Sequence, residues 1–199
     1  MRGSRPAVHR SHRKLLIMTD PISNQMLCAI GENLVSAQLM AHGWPTVNLN
    51  HSINNFKGTD LYCQHGLDST DIIGIQVKTT IKSSFLVGLK TEDCVDLNFL
   101  SKKVIGPWVF VHLKSTIPLD VDYYVLPRQV VIDLLYQGHD WYLHKWNRKA
   151  TPSLYSSPAA IPIRWLRGEN DHSSKSSVVF NNPYPGDVFR QPTSWNKIW

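Results

Sequence analysis

Cysteine is scarce in this chain of 199 residues, and no two cysteines have the spacing of a metal-binding or redox pair. The three cysteines, Cys28, Cys63 and Cys94, form an odd set without a C-x-x-C motif, which argues against a disulfide framework and a zinc site. Long apolar runs are also missing, since no stretch approaches the roughly 20 residues that a membrane helix requires. We therefore expect reduced thiols, a cytoplasmic location and no membrane partner.

Acidic residues are absent from the first 17 positions, MRGSRPAVHRSHRKLLI, which carry five basic side chains. These five explain most of the net charge of +6, because 16 basic residues face 15 acidic ones in the rest of the chain. The basic balance therefore belongs to a tail, residues 1–17, and not to a folded domain. The tail is either an arm that contacts phosphate groups or a segment foreign to the native protein, with Met18 as the true start. We expect the second alternative and a disordered tail.

The hydrophobic pattern predicts an α/β domain with a mixed central sheet flanked by helices. A first helix is expected between Asp20, as its N-cap, and Gly43, as its C-terminal stop. Apolar or alternating runs bounded by turn residues predict strands at 46–50, 59–64, 72–81, 84–90, 107–113 and 122–127, and a second helix at 128–137. We expect residues 18–150 to form this core domain. Residues 151–199, which prolines interrupt, are expected to form a loop-rich extension that packs on the core.

The first predicted helix carries a carboxylate within its apolar face. Glu32 follows Cys28 by four residues and precedes Val35 by three, so it falls on an apolar ridge of the helix. An ionised carboxylate that faces a core is strongly unfavourable unless a partner compensates it. Glu32 therefore either borders the ridge and reaches water, or faces a polar pocket built by the strands.

Further polar residues lie on two of the predicted strands. In GIQVKTT, residues 74–80, alternation puts Gln76 and Lys78 on one face and their apolar neighbours on the other. Asp60 stands at the mouth of the preceding strand, where aspartate is disfavoured. An edge strand with a solvent-exposed face would explain Gln76 and Lys78, and a turn-capping role would explain Asp60. If the two strands instead form a hairpin, facing side chains lie about 5 Å apart, and Glu32 with these three residues forms an oxygen-lined site for a divalent cation beside an amine.

This ordered set resembles the motifs of the PD-(D/E)XK nuclease superfamily, which has the restriction-endonuclease-like fold. The motifs are G-E-x-x-V on the first helix, G-x-D-L at a strand mouth and Q-V-K-T-T on the next strand, all within residues 31–80. They are most similar to a small branch that includes Holliday-junction resolvases and QVKTT-type endonuclease-like proteins. The strand DYYVLP with its following helix, and the Trp-rich end SWNKIW, extend the similarity weakly over most of the chain.

The resemblance implies a metal-dependent endonuclease that hydrolyses phosphodiester bonds of DNA, with Mg²⁺ as cofactor and Mn²⁺ as a substitute. Asp60, Gln76 and the backbone carbonyl of Val77 would bind the metal, and Glu32 would act through water or on a second ion. Lys78 would orient the attacking water and offset charge on the pentavalent phosphorane. Since a two-fold dimer is common where both strands are cut, a homodimer is a candidate assembly.

Gln76 departs from the common pattern, which has Glu or Asp at this position. An amide offers the metal one neutral oxygen, so the site loses one negative charge. The retained Lys78 favours an active nuclease, whereas the substitution favours a catalytically inactive DNA-binding protein of the same fold. Beside two carboxylates, we expect Lys78 to be buried and held protonated.

A stretch rich in aromatic and basic residues, HDWYLHKWNRK at 139–149, has two interpretations. In a nuclease, Lys145, Arg148 and Lys149 would contact DNA phosphates, and the tryptophans would be core or stacking residues. In a protein-interaction module without nuclease activity, the third alternative, the same stretch would be the binding surface.

Overall fold

The computed structural model describes residues 22–50, 58–145, 152–168 and 194–199. The tail at 1–17 lies outside these ranges. The strands are β1 (Thr46–Asn48), β2 (Leu61–Gln64), β3 (Ile72–Thr80), β4 (Ser84–Lys90), β5 (Trp108–Thr116), β6 (Leu119–Leu126) and β7 (Pro158–Pro162). The helices are α1 (Asn24–Ala41), α2 (Thr91–Cys94), α3 (Leu97–Lys103), α4 (Arg128–Lys145), α5 (Pro152–Tyr155) and α6 (Ile163–Arg167), and a 3-10 turn spans Trp195–Ile198.

Five of the described strands form one mixed sheet, in the order β1-β2-β3-β5-β6. β1, β2 and β3 pair antiparallel, β3 pairs parallel with β5, and β5 pairs antiparallel with β6. A parallel pair needs a long crossover, and the segment with β4, α2 and α3 supplies it. The predicted α/β class with a mixed sheet flanked by helices is confirmed.

The central sheet carries an apolar layer on each face, as the pleat of its strands requires. On the first face, α1 and the 3-10 turn pack against β2, β3 and β5 through Val35, Leu39, Leu61, Ile75, Val109 and Trp195. On the second face, α4, α6 and the pair β4–β7 pack against β5 and β6 through Phe85, Phe110, Leu126, Leu135, Ile161 and Trp165. Each layer therefore joins elements that are distant in sequence.

The first helix begins later than predicted. Its N-cap is Ser23, whose hydroxyl accepts a hydrogen bond from the Met26 N–H at 3.2 Å. The predicted cap, Asp20, lies outside the described residues. Gly43 follows the helix with a φ of +79°, a conformation that favours glycine. It thus ends the helix as predicted.

Two other predicted elements differ from the structure. The strand at 84–90 exists, but it leaves the central sheet and pairs with β7, in the segment predicted to be loop-rich. Pro158 and Pro162 stand at the two ends of β7, where a strand tolerates proline. The helix predicted to stop at residue 137 continues to Lys145. Gly138 therefore lies inside the helix and does not end it. Its lack of a side chain allows a close approach of Trp165, whose Cζ3 would lie 2.5 Å from an added Cβ.

Candidate active site

Asp60 marks the point where β2 separates from β3. The pairing of these strands ends at Leu61 and Ile75, while β3 continues beside β5. The backbone N–H of Asp60 donates to the Ile75 carbonyl at 2.9 Å, and its carboxylate Oδ2 accepts from the Val77 N–H at 2.7 Å. The side chain thus replaces the ladder hydrogen bond that a longer β2 would have made.

Gln76 meets Asp60 on one face of the sheet. The Gln76 Nε2 donates to the same Oδ2 of Asp60 that the Val77 N–H contacts. One further step of the β2–β3 register would put Asp60 and Gln76 opposite each other, which is the arrangement in which cross-strand side chains touch. Ile75 and Val77 are buried in the layer under α1, so the alternation expected for this strand is present.

Glu32 joins this group through two asparagines. Its carboxylate accepts from the Asn48 Nδ2 at 3.1 Å and from the Asn50 Nδ2 at 2.8 Å. The Asn50 Nδ2 also lies 3.1 Å from Oδ1 of Asp60, so one amide bridges both carboxylates. Glu32 is 7% exposed and Asp60 is 8% exposed, and these donors compensate their burial. Neither asparagine belongs to the motifs that predict the site, although an N-x-N pattern at a strand is unusual enough to be a signal.

A close helix–strand contact holds Glu32 at this place. An added Cβ on Gly31 would lie 1.8 Å from Oγ1 of Thr79 on β3, so only glycine permits this approach of α1 to the sheet. Val35 and Leu39, on the same side of the helix, are fully buried. The apolar face of α1 therefore docks on the sheet, and the adjacent Glu32 reaches the asparagines and not bulk water.

Lys78 lies two residues after Gln76 on the same face of β3 and is half-buried. Its Nζ is 5.3 Å from the centroid of the Trp108 ring, within the range of a cation–π contact. Burial lowers the pKa of Lys78, and the charges of Asp60 and Glu32 oppose that shift without cancelling it. The expected neighbourhood of two carboxylates is present. The expectation that they hold the amine protonated stays a prediction.

The available oxygen atoms fit a magnesium ion with few protein ligands. Within the described ranges, no group of three or more His, Cys, Asp or Glu side chains could enclose a metal. Mg²⁺ is usually held by one or two carboxylates and keeps several waters, and Asp60 and Glu32 supply two carboxylates. The Gln76 N–H donates to the Pro107 carbonyl oxygen, whereas the Val77 N–H donates to the Asp60 carboxylate on the other side of the strand. Because the N–H and the carbonyl of one strand residue point to the same side, the Val77 carbonyl faces the Asp60 side as well.

The predicted DNA-contacting residues lie almost wholly outside the described part of the chain. Lys145 ends α4, but its side chain and the whole of Arg148 and Lys149 lie outside the described residues. Trp141, in the same stretch, is 4% exposed and belongs to the apolar layer on the second face. It is therefore a core residue and not a stacking platform on the surface.

Comparison of the chain with protein-family models, curated proteins and solved structures gave no significant match. In the part of the chain that the structure describes, no helix is long and apolar enough to cross a bilayer. Membership of the PD-(D/E)XK superfamily thus stays a prediction that depends on the motifs.

Proposed function

We propose that this protein is a metal-dependent endonuclease with a restriction-endonuclease-like core that hydrolyses phosphodiester bonds of DNA. One observation carries the proposal. The buried carboxylate of Asp60 contacts Gln76 and the Val77 backbone where β2 leaves β3, and Lys78 follows on the same face. An acid and an amide from two strands thereby meet at one place, next to a second carboxylate from α1, and the charges of both carboxylates act on the Lys78 amine.

Each residue of this group would have a distinct role. Asp60 would be the main metal ligand, with the Gln76 amide oxygen and the Val77 carbonyl on the same side and Glu32 acting through water or on a second ion. Bound Mg²⁺ supplies Lewis acidity toward the phosphate and lowers the pKa of a bound water. Lys78 would orient that water and stabilise the negative charge that develops on the phosphorane, an effect that is larger where water is partly excluded.

A catalytically inactive DNA-binding protein of the same fold is the second candidate, and one observation favours it. Amides of Asn48, Asn50 and Gln76 already donate to the two buried carboxylates, so the group is satisfied without an ion. A hydrogen-bonded group of this kind also serves simply to hold the end of β2.

The deciding experiment compares wild type with Asp60→Asn on plasmid, linear and branched DNA in Mg²⁺ or Mn²⁺. Asparagine keeps the shape and one acceptor for the Val77 N–H, so the fold should persist, which thermal melting checks. A nuclease should lose about 10²-fold or more of its cleavage rate, because its main anionic ligand is gone. Asp68→Asn, at an exposed aspartate of the β2–β3 loop, is the matched control and should cleave like wild type.

Two further variants complete this test. Lys78→Ala should reduce cleavage nearly as much as Asp60→Asn, and Gln76→Glu should keep or raise it by restoring the usual charge. Equal cleavage by wild type and Asp60→Asn would refute the proposed mechanism. An inactive binder would cleave in no metal and would bind DNA with a salt-dependent affinity that none of these variants alters.

A further inference from the structure

The turn that follows β1 is fixed to the start of β2 by its own hydrogen bonds. The backbone N–H of Asn50 donates to Oδ1 of Asn48 at 3.0 Å, the contact with which an asparagine forms a turn around the residue between. The backbone N–H of that residue, Leu49, donates to the Asp60 carbonyl oxygen at 2.9 Å, and the Leu49 side chain is buried. The backbone at Asn50 therefore has a defined position beside Asp60.

From this turn, the side chain of Asn50 reaches between two buried carboxylates. Its Nδ2 lies 2.8 Å from Oε1 of Glu32 and 3.1 Å from Oδ1 of Asp60. Because an ionised carboxylate can only accept, the nitrogen of the amide and not its oxygen must face both groups. An amide nitrogen carries two hydrogens, so each carboxylate receives one of them. Asn50 thus joins Glu32 of α1 to Asp60 of β2 through a single atom.

The amide nitrogen of Asn50 occupies the place that a bridging cation would take. Two carboxylates that share one partner are a common arrangement around a divalent ion. The N–H groups of Asn50 compensate the two negative charges in part, although the amide has no net charge. Oxygen ligands lie about 2.1 Å from Mg²⁺, which is shorter than either hydrogen bond of Asn50. An ion and this nitrogen therefore exclude each other from the space between Glu32 and Asp60.

The two oxygens of the Asp60 carboxylate have different partners. Oδ1 accepts from Asn50, whereas Oδ2 accepts from the Gln76 side chain and the Val77 N–H. The metal ligands proposed above, Gln76 and the Val77 carbonyl, belong to the Oδ2 side. On the Oδ1 side Glu32 is the second carboxylate, and no third His, Cys, Asp or Glu completes a metal-binding group in the described ranges. Asn50 therefore separates a position suited to one ion from a position that it fills itself.

We propose that Asn50 determines the metal content of the candidate active site, because its amide takes the place of a second divalent ion between Glu32 and Asp60. The protein then binds one ion per chain. This assignment rests on the proposed function, since it concerns the Mg²⁺ that Asp60 would hold. It also selects between the two roles given to Glu32, which would act through water and not on a second ion. Lys78 would supply the positive charge that a second ion supplies in two-metal nucleases.

Calorimetric titration of the DNA-free protein with Mn²⁺ tests this proposal without a measurement of cleavage. Wild type should bind one Mn²⁺ per chain. Asn50→Asp keeps the shape of the side chain and adds a third carboxylate to Glu32 and Asp60, so this variant should bind two. The matched control is Asn98→Asp, the same exchange at an exposed position of α3, and it should bind one ion like wild type.

A second variant, Asn50→Ala, tests the same space through stability. It removes the donor that both buried carboxylates share, so the Tm of the metal-free protein should fall. Mn²⁺ can then enter between the carboxylates, and the rise in Tm on adding Mn²⁺ should be larger than in wild type. If Asn50→Asp does not fold without metal, this comparison decides. A rise in Tm no larger than that of wild type would overturn the role of Asn50.

The outcomes separate this role of Asn50 from the proposed nuclease function. One ion in wild type and two in Asn50→Asp, with no cleavage of DNA, uphold the role of Asn50 and reject only the nuclease. Two ions in a wild-type protein that cleaves DNA, or one ion in a folded Asn50→Asp variant, overturn the role of Asn50 and leave the nuclease intact. A wild-type protein that binds no Mn²⁺ overturns both.

Discussion

Gly31→Ala should destabilise the protein, although alanine is the better helix former. At a helical position with free space around it, this exchange raises the free energy of unfolding by about 1 kcal/mol. Here the new Cβ would lie 1.8 Å from Oγ1 and 2.9 Å from Cβ of Thr79. Thr79 is β-branched and lies within β3, so its side chain has few alternative rotamers. The helix and the strand must therefore move apart.

The expected magnitude follows from two opposing contributions at Gly31. Overpacking a well-packed site lowers the free energy of unfolding by about 1–3 kcal/mol. The higher helix propensity of alanine offsets about 1 kcal/mol of that loss. The net loss of unfolding free energy should be up to about 2 kcal/mol, which corresponds to a decrease in Tm of up to about 8 °C for a domain of this size. Because Glu32 is the next residue, the proposed cleavage activity should fall as well.

A double-mutant cycle tests this reasoning. Thermal and urea unfolding are measured for wild type, Gly31→Ala, Thr79→Ala and the double variant, and Asn33→Ala at an exposed position of α1 measures the propensity gain alone. Removing Oγ1 and Cγ2 of Thr79 should recover most of the loss, so the two changes should be strongly coupled. A Gly31→Ala protein that is as stable as Asn33→Ala would refute the proposed contact.

Three further predictions concern the thiols, the buried histidine and the site glutamine. A thiol reagent should modify about one cysteine in the native protein and three after unfolding, because Cys28 is exposed whereas burial raises the pKa of Cys63 to about 11 and that of Cys94 to about 12. Burial lowers the pKa of His139 from its usual 6.5, so on acidification this histidine binds a proton in the unfolded chain before it does so in the folded protein. The free energy of unfolding should therefore fall as the pH drops through about 6.5. His139→Gln should lessen the decrease in Tm between about pH 7 and about pH 5. Gln76→Glu should lower Tm without metal and show a larger rise in Tm on adding Mg²⁺ than wild type, and a variant as stable as wild type without metal would contradict the contact with the neighbouring carboxylate.

Local patterns predicted most of the elements but not all of their partners. The alternation of β3 and the turn after β2 follow from nearest neighbours in the chain, so their boundaries lie close to the predicted ones. The pairing of β4 with β7 joins residues 68 to 78 positions apart. An apolar strand such as SFLVGLK fits any apolar partner, so its sequence does not determine which sheet it enters.

The candidate site was predictable where a polar residue interrupts an apolar pattern. Glu32 and Asp60 violate the preferences of a helix face and a strand, and that conflict is visible in sequence. Asn48 and Asn50 conflict with their surroundings less than the two carboxylates do, so the sequence indicates the bridge they form only weakly.

Gln76 links the proposed chemistry to the stability of the metal-free fold. Its Nε2 donates to a carboxylate of Asp60 that also receives the Val77 N–H. A glutamate at this position would put a second negative charge in hydrogen-bond contact with Asp60, and like charges at that distance repel strongly where water is partly excluded. An amide at position 76 therefore keeps the end of β2 joined to β3 before any ion binds, while it removes one anionic metal ligand.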